Sequence, residues 1–118
     1  MIEIKQLAAQ GDVVFRRIDQ LPPNVVERKV TGQIVVAHSE TGHHHAIHDA
    51  GVRLFDSVRH DAMVRYLSVD GASADVVHHR AEHTHQTLRL LTGVWEVRRQ
   101  RQWVPDPADD AAWVEVAD

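Results

Sequence analysis

The sequence predicts a small all-β domain, an antiparallel β-barrel or sandwich with a short N-terminal helix, and three observations support this. Hydrophobic side chains recur with a period of two in a series of short segments rich in β-branched and aromatic residues. Gly, Pro, Asp or Asn bound most of these segments. The 118 residues, 43% hydrophobic and 25% charged, are sufficient for one hydrophobic core, so we expect a single domain over 1–118.

The predicted elements follow one another closely along the chain. A short helix is predicted at about residues 3–10, with Gly11 at its C′ position. Because alternate side chains of a strand share a face, Trp95 and Val97 are expected on one face of the segment 93–104. The predicted strands occupy residues 11–18, 33–38, 51–55, 62–69, 74–79, 86–91, 93–104 and 112–117.

Turn-forming residues separate these strands. The consecutive prolines in 21–24 require a bend, because they cannot lie in a central strand. Asp70-Gly71 within 69–73 favours a tight hairpin turn, and 105–110 has the composition of a polar loop. Many short strands with such turns are typical of a barrel or a sandwich.

Charge and composition exclude several classes of protein. The net charge is 13 − 17 = −4 with histidine neutral, so we do not expect a nucleic-acid partner or an anionic membrane partner. The chain has no cysteine, which excludes disulfides and thiolate metal ligands. Residues 1–12 carry charges and no long apolar run, so we expect no signal peptide, no membrane span and a cytoplasmic location.

Histidine is the residue type that points to chemistry. Two segments, 43–48 and 83–85, carry six of the ten histidines. Neutral imidazole binds zinc, iron, copper and nickel, provided that two or more ring nitrogens converge. In an extended segment His43 and His45 point the same way, as do His83 and His85. If 43–48 were helical, residues 44 and 48 would form the pair instead, but Gly42 disfavours a long helix.

These spacings predict one divalent transition-metal site. Zinc is the metal expected first, with Fe, Ni, Mn or Cu as alternatives. Glu40 and Glu82 are the nearest carboxylates, which could complete the site or orient a histidine through its second nitrogen. Neighbouring residues of a strand face opposite ways, so at most one of His78 and His79 could join. The predicted ligands are His43, His45, His83 and His85, with His48 in reserve.

A basic stripe lies in the last long strand. Arg98, Arg99 and Arg101, with Trp103, could bind an anion or single-stranded nucleic acid. The alternative is a strand whose arginines cover the surface or pair with the aspartates of 105–110. The acidic balance of the chain favours this second interpretation.

Three stretches carry a resemblance to a known family. They are "QGDVVFRRIDQLP" (10–22), "TGHHHAI" (41–47) and "LLTGVWEVRRQRQWVPD" (90–106). Together they resemble a family of small, largely uncharacterised bacterial and phage proteins. Its pattern is Q-G-D-V, then T-G-H-x-H, a later histidine, L-x-x-G-x-Y/W-x-V and R-Q-R-E-Y.

The resemblance implies His43 and His45 as the central pair and His83 as the later histidine. The sequence departs from the pattern at Gln102 and Trp103, where the family more often has Glu and Tyr. The chain is also similar, more loosely, to cupins, β-barrels that hold a metal through His-x-His and a later histidine. The glutamate that a cupin has soon after the first pair is missing from residues 46–50.

Three functions are therefore considered. In the first, histidines hold a metal that is structural or, with an open coordination position, activates water or polarises an oxygen substrate. In the second, the protein is a non-enzymatic homo-oligomer with histidines at a subunit contact, since small β domains often pair their exposed edges. In the third, the arginine stripe serves a nucleic-acid accessory role.

Overall fold

The structure is a computed structural model that describes residues 1–38, 44–59, 63–78, 85–99 and 115–116, with the backbone alone described at residues 38, 85, 115 and 116. The described residues form an all-β protein, as predicted. The strands are β1 (Ile2–Ile4), β2 (Leu7–Gln10), β3 (Val13–Ile18), β4 (Val25–Arg28), β5 (Ile34–His38), β6 (His44–Ile47), β7 (Val52–Ser57), β8 (Val64–His78), β9 (His85–Arg99) and β10 (Glu115–Val116).

The helix predicted at residues 3–10 is wrong, because β1 and β2 occupy that segment. β1 runs parallel to β9, with Ile4 opposite Leu90, and β2 runs antiparallel to β3. A helix this short has little stability of its own, whereas strand pairing buries Ile4 and Ala8 in the core. Gly11 has the positive φ of 60° that suits a C′ residue, but it lies in the turn between β2 and β3.

The centre of the fold is the antiparallel hairpin of β8 and β9, which have 15 residues each. The tight turn predicted at 69–73 is wrong, since β8 continues through this segment with a shift of register against β9. The backbone N–H of Asp70 donates to Gly51 O at 2.8 Å, and its carboxylate accepts from Arg53 at 2.7 Å. Asp70, which suggested a turn, is thus held by Gly51 and Arg53 at the start of β7.

The register shift divides the hairpin into two halves with different neighbours. β7 and β3 flank the half that contains residues 64–69, whereas β6 and β1 flank the other half. β4 pairs with β7, β5 pairs with β6, and β2 and β10 lie beyond β3. Apart from the parallel pairs β1–β9 and β10–β2, all pairs are antiparallel. Within the described ranges the sheet does not close into the predicted barrel.

Large apolar side chains from both halves of the hairpin fill the core. Trp95 is fully buried, and its indole N–H donates to Leu91 O at 3.0 Å, so its polar atom is satisfied. Val97 is buried too, which confirms the predicted shared face. The other large buried apolar side chains include Phe15, Ile47, Leu67, Leu88 and Leu90.

Candidate metal centre

A row of histidine positions crosses the sheet where β8 ends and β9 begins. His45 on β6 lies opposite His78 on β8, and His78 lies opposite His85 on β9. Residues directly opposite each other on antiparallel strands project to the same face of a sheet. The register therefore aligns His45 with two histidine positions more than 30 residues further along the chain.

The rings of His45 and His78 are buried and in contact. His45 is fully buried and His78 is 5% exposed. Their ring centroids are 3.9 Å apart and the ring planes differ by 14°, which is a stacked arrangement. Both imidazoles therefore lie inside the fold at this end of the hairpin.

The turn between β2 and β3 passes over the two rings at Gly11. A Cβ atom at this position would lie 3.3 Å from Cε1 of His78 and 3.5 Å from Cε1 of His45. Both rings thus direct the edge that carries their nitrogens toward the turn. Glycine fits here because it has no Cβ and tolerates the φ of 60°.

Gln10, the residue before this turn, connects His45 to the hairpin. Its side chain is fully buried. Its Nε2 lies 3.0 Å from the carbonyl oxygens of both Val76 and Gln86, which flank the shift of register near the end of β8. Its Oε1 lies 2.8 Å from Nδ1 of His45. β2, which belongs to one half of the sheet, is thereby fastened to the other half.

Asp12, which follows Gly11 in the same turn, provides the carboxylate of the site. Its Oδ1 lies 3.6 Å from Nε2 of His45, and its Oδ2 lies 3.5 Å from Nε of Arg99 on β9. The Asp12 side chain is 37% exposed whereas His45 is fully buried, so the site reaches solvent on the Asp12 side. The charge of Arg99 partly balances that of the carboxylate.

Of the predicted ligands, His45 lies in this site and the backbone of His85 lies in the histidine row. His48 is exposed, just beyond the end of β6. Within the described part of the chain, no three His, Asp or Glu side chains are grouped so that they could hold a metal ion. The predicted ligands His43 and His83, and the carboxylates Glu40 and Glu82, lie outside the described residues.

Gln10 and Asp12 were not predicted from the sequence as members of this site. Gln10 and Asp12 belong to the "QGD" of the quoted resemblance, but no role was drawn from that motif. Because residues 3–10 were predicted to form a helix, Gln10 was not expected at a site between strands. His78 was allowed as one member of the pair at 78–79, and only the pairing of β8 with β6 shows that it meets His45.

The described arginines of the basic stripe are paired with carboxylates. Arg98 Nε lies 3.3 Å from Glu96 Oε1, and Arg16 lies 3.1 Å from the other oxygen of the same carboxylate. Arg99 faces Asp12, as described above. The second interpretation named the aspartates of 105–110 as partners, whereas the described partners are Glu96 and Asp12. Arg101 and those aspartates lie outside the described residues.

No helix in the described ranges combines the length and the apolar character that crossing a bilayer requires.

Comparison with known proteins places most of the chain in one family. A family model with the description "Domain of unknown function (DUF8820)" matches residues 9–100. The matched range contains all the residues of the site described above, from Gln10 to Arg99. No curated protein and no solved structure matches the chain.

Proposed function

The chain belongs to the family described as Domain of unknown function (DUF8820), and we propose that it is a small β domain that binds a divalent transition metal through buried histidines. The observation that carries this proposal is the histidine row of β6, β8 and β9, with the Asp12 carboxylate at its solvent side.

The choice of residues in the core supports a ligand role. A valine or leucine would fill the space of His45 or His78 without a polar atom to remove from water. Two stacked imidazoles are therefore an uncommon packing solution. Imidazole is, in contrast, the commonest metal ligand among side chains.

The separation of the donor atoms also fits. Two ligands of one tetrahedral zinc ion, each about 2.1 Å from the metal, lie about 3.4 Å apart. Oδ1 of Asp12 and Nε2 of His45 are 3.6 Å apart. The stacked rings hold their nitrogens side by side, so joint binding by His45 and His78 requires a rotation of the His78 ring.

The proposed ligand set combines structural and sequence arguments. His45 and Asp12 are the candidates whose described side chains lie at a suitable separation, and His78 would join them only after its ring rotates. His85 follows from its place in the row. The sequence prediction adds His43 and His83, which precede described strands by one and two residues. His48 remains a reserve ligand, and Glu40 and Glu82 remain candidate carboxylates.

The chemistry would depend on how many coordination positions of the metal the protein fills. A metal with an open position supplies a Lewis acid that lowers the pKa of bound water or polarises an oxygen substrate, whereas a fully ligated metal holds strands together. Because the Asp12 side chain is 37% exposed, a metal bound beside it would have one side open to solvent. The looser similarity to cupins supports the ligand type, and it does not specify a reaction.

Elemental analysis of the tag-free protein after reconstitution tests the proposal. We expect about one equivalent of a transition metal in the wild type and a large loss in His45→Ala, His43→Ala and His83→Ala. His44→Ala is the matched control, because it lies on the same strand and is only half-buried. It should retain the metal.

A second variant avoids opening the core. Asp12→Asn changes a side chain that is 37% exposed, so the fold should persist while the apparent Kd for zinc rises. Less than about a tenth of an equivalent of any metal in reconstituted wild type would overturn the proposal.

A further inference from the structure

We infer that Gln10 is a positioning residue that holds His45 in its Nδ1–H tautomer, so that Nε2 carries the lone pair. The importance of that lone pair for a ligand rests on the proposed function, whereas the tautomer itself is a property of the metal-free protein. The inference follows from hydrogen-bond geometry alone.

The orientation of the Gln10 amide is determined by its neighbours. Two carbonyl oxygens, Val76 O and Gln86 O, lie 3.0 Å from the same terminal atom of the side chain. A carbonyl oxygen only accepts hydrogen bonds, so this atom must be the nitrogen, whose two N–H groups serve one carbonyl each. With the amide reversed, the Gln10 oxygen would lie 3.0 Å from the carbonyl oxygens of Val76 and Gln86. These three acceptors would repel one another.

The amide orientation then determines the state of His45. With its nitrogen committed to the two carbonyls, Gln10 presents Oε1, an acceptor, at 2.8 Å from His45 Nδ1. Nδ1 must therefore donate. In a neutral imidazole only one nitrogen carries a hydrogen, so the lone pair lies on Nε2.

The position of Gln10 in the fold makes this arrangement rigid. The side chain is fully buried, and its two carbonyl acceptors belong to the long hairpin at the shift of register. β2 is in turn paired along its length with β3. A rotation of the Gln10 amide would leave the buried Val76 carbonyl and the partly buried Gln86 carbonyl without this donor, which is unfavourable.

The tautomer specifies the class of ligand. Nε2 lies on the side of the ring that faces Oδ1 of Asp12, at 3.6 Å. A nitrogen lone pair and a carboxylate together attract a cation and repel an anion. The site is therefore arranged for a Lewis acid such as a divalent metal ion, with Nε2 as the donor atom of His45.

Nuclear magnetic resonance of protein with ¹⁵N-labelled imidazole rings tests the inference. The spectra are recorded in chelator at about pH 8, where an ordinary histidine is neutral. In the wild type we expect His45 to carry its hydrogen on Nδ1, and the side-chain amide protons of Gln10 to be protected from exchange. A wild-type His45 with its hydrogen on Nε2 would overturn the inference, whatever any variant does.

Gln10→Met replaces the amide side chain with an apolar one of similar size. It should shift His45 toward the Nε2–H tautomer. Its control is Gln6→Met, the same substitution at an exposed glutamine of the same segment, which should leave the His45 spectrum unchanged. We also expect the Kd for zinc to rise about 10- to 100-fold in Gln10→Met and not in Gln6→Met. An unaltered tautomer or an unaltered Kd in a folded Gln10→Met protein would overturn the positioning role.

The two proposals fail separately. Because the tautomer is measured without metal, a wild type with Nδ1–H that binds no metal would retain this inference and overturn the proposed function. A wild type that binds metal but has Nε2–H in the metal-free state would overturn this inference and retain the proposed function.

Discussion

Gly11 is the residue on which the packing of the two buried histidines most directly depends. Its φ of 60° lies in the left-handed region, which a side chain makes unfavourable. A Cβ atom would also press on the His78 ring at 3.3 Å. Backbone conformation and space thus require the same residue at this turn.

We expect Gly11→Ala to lower the free energy of unfolding more than Gly32→Ala does. Gly32 has a comparable φ of 81°, but nothing lies within 4 Å of the added Cβ, so only the backbone cost of about 1–2 kcal/mol applies there. At Gly11 the contact with His78 adds roughly 1 kcal/mol. Urea denaturation of the two variants measures the difference. Equal losses of unfolding free energy would contradict a contact between the added Cβ and His78.

At the scale of the strands, one charge cluster connects β4, β7 and β8. Asp56 on β7 accepts from Arg65 on β8 at 2.6 Å and from Arg28 on β4 at 3.0 Å. Arg65 also donates to Val35 O on β5, at 3.0 Å. Burial raises the pKa of Asp56, but the hydrogen bonds and charges of the two arginines outweigh it and hold that pKa below its ordinary value of 3.8.

The sign of this shift predicts how Asp56 contributes to stability. Its folded pKa is depressed, so its contribution is fully present above the unfolded value of 3.8 and is lost as the pH falls through the folded pKa. We expect Asp56→Asn to lose about 2 kcal/mol of unfolding free energy at pH 7. The difference in unfolding free energy between wild type and Asp56→Asn should shrink below about pH 4.

Denaturation of both proteins between about pH 2 and pH 7 measures this dependence. Asp70→Asn is the control, because Asp70 also accepts from an arginine, Arg53, but both side chains are nearly half exposed. Solvent weakens exposed ion pairs. Asp70→Asn should therefore lose less unfolding free energy at pH 7 than Asp56→Asn does. A difference between Asp56→Asn and wild type that stays constant across this range would contradict the role assigned to the cluster.

At the scale of the whole molecule, the burial of the histidines separates two of the functions considered. His45 and His78 lie inside a single chain, so they cannot line a contact between subunits. His44 and His48 do reach the surface. The assembly hypothesis must therefore depend on these two or on histidines whose side chains lie outside the described part, whereas the metal proposal depends on the buried row.

We expect the molar mass in solution, whether of a monomer or an oligomer, to stay constant between about pH 5 and pH 8, with or without chelator. The reason is that the metal proposal gives no histidine a role at a subunit contact. Light scattering across this range measures the mass. A mass that changes with pH and ignores chelator would favour histidines at a subunit contact.

The sequence by itself determined the all-β class and the shared buried face of Trp95 and Val97, and it named His45 as a candidate ligand. These depend on alternation within one strand, and strand periodicity is a local property. The short N-terminal segment was mispredicted because its apolar residues suit a helix or a strand, and only its pairing with β9 and β3 distinguishes them.

Only the tertiary structure decided which polar side chains meet at the candidate site. Gln10 contacts a carbonyl 66 residues away, at Val76, and the row that joins His45 to His78 depends on the register of β6 against β8. A shift of one residue in that register would move every side chain of β6 to the other face. The register results from the packing of the whole sheet, so no local pattern at either histidine could encode it.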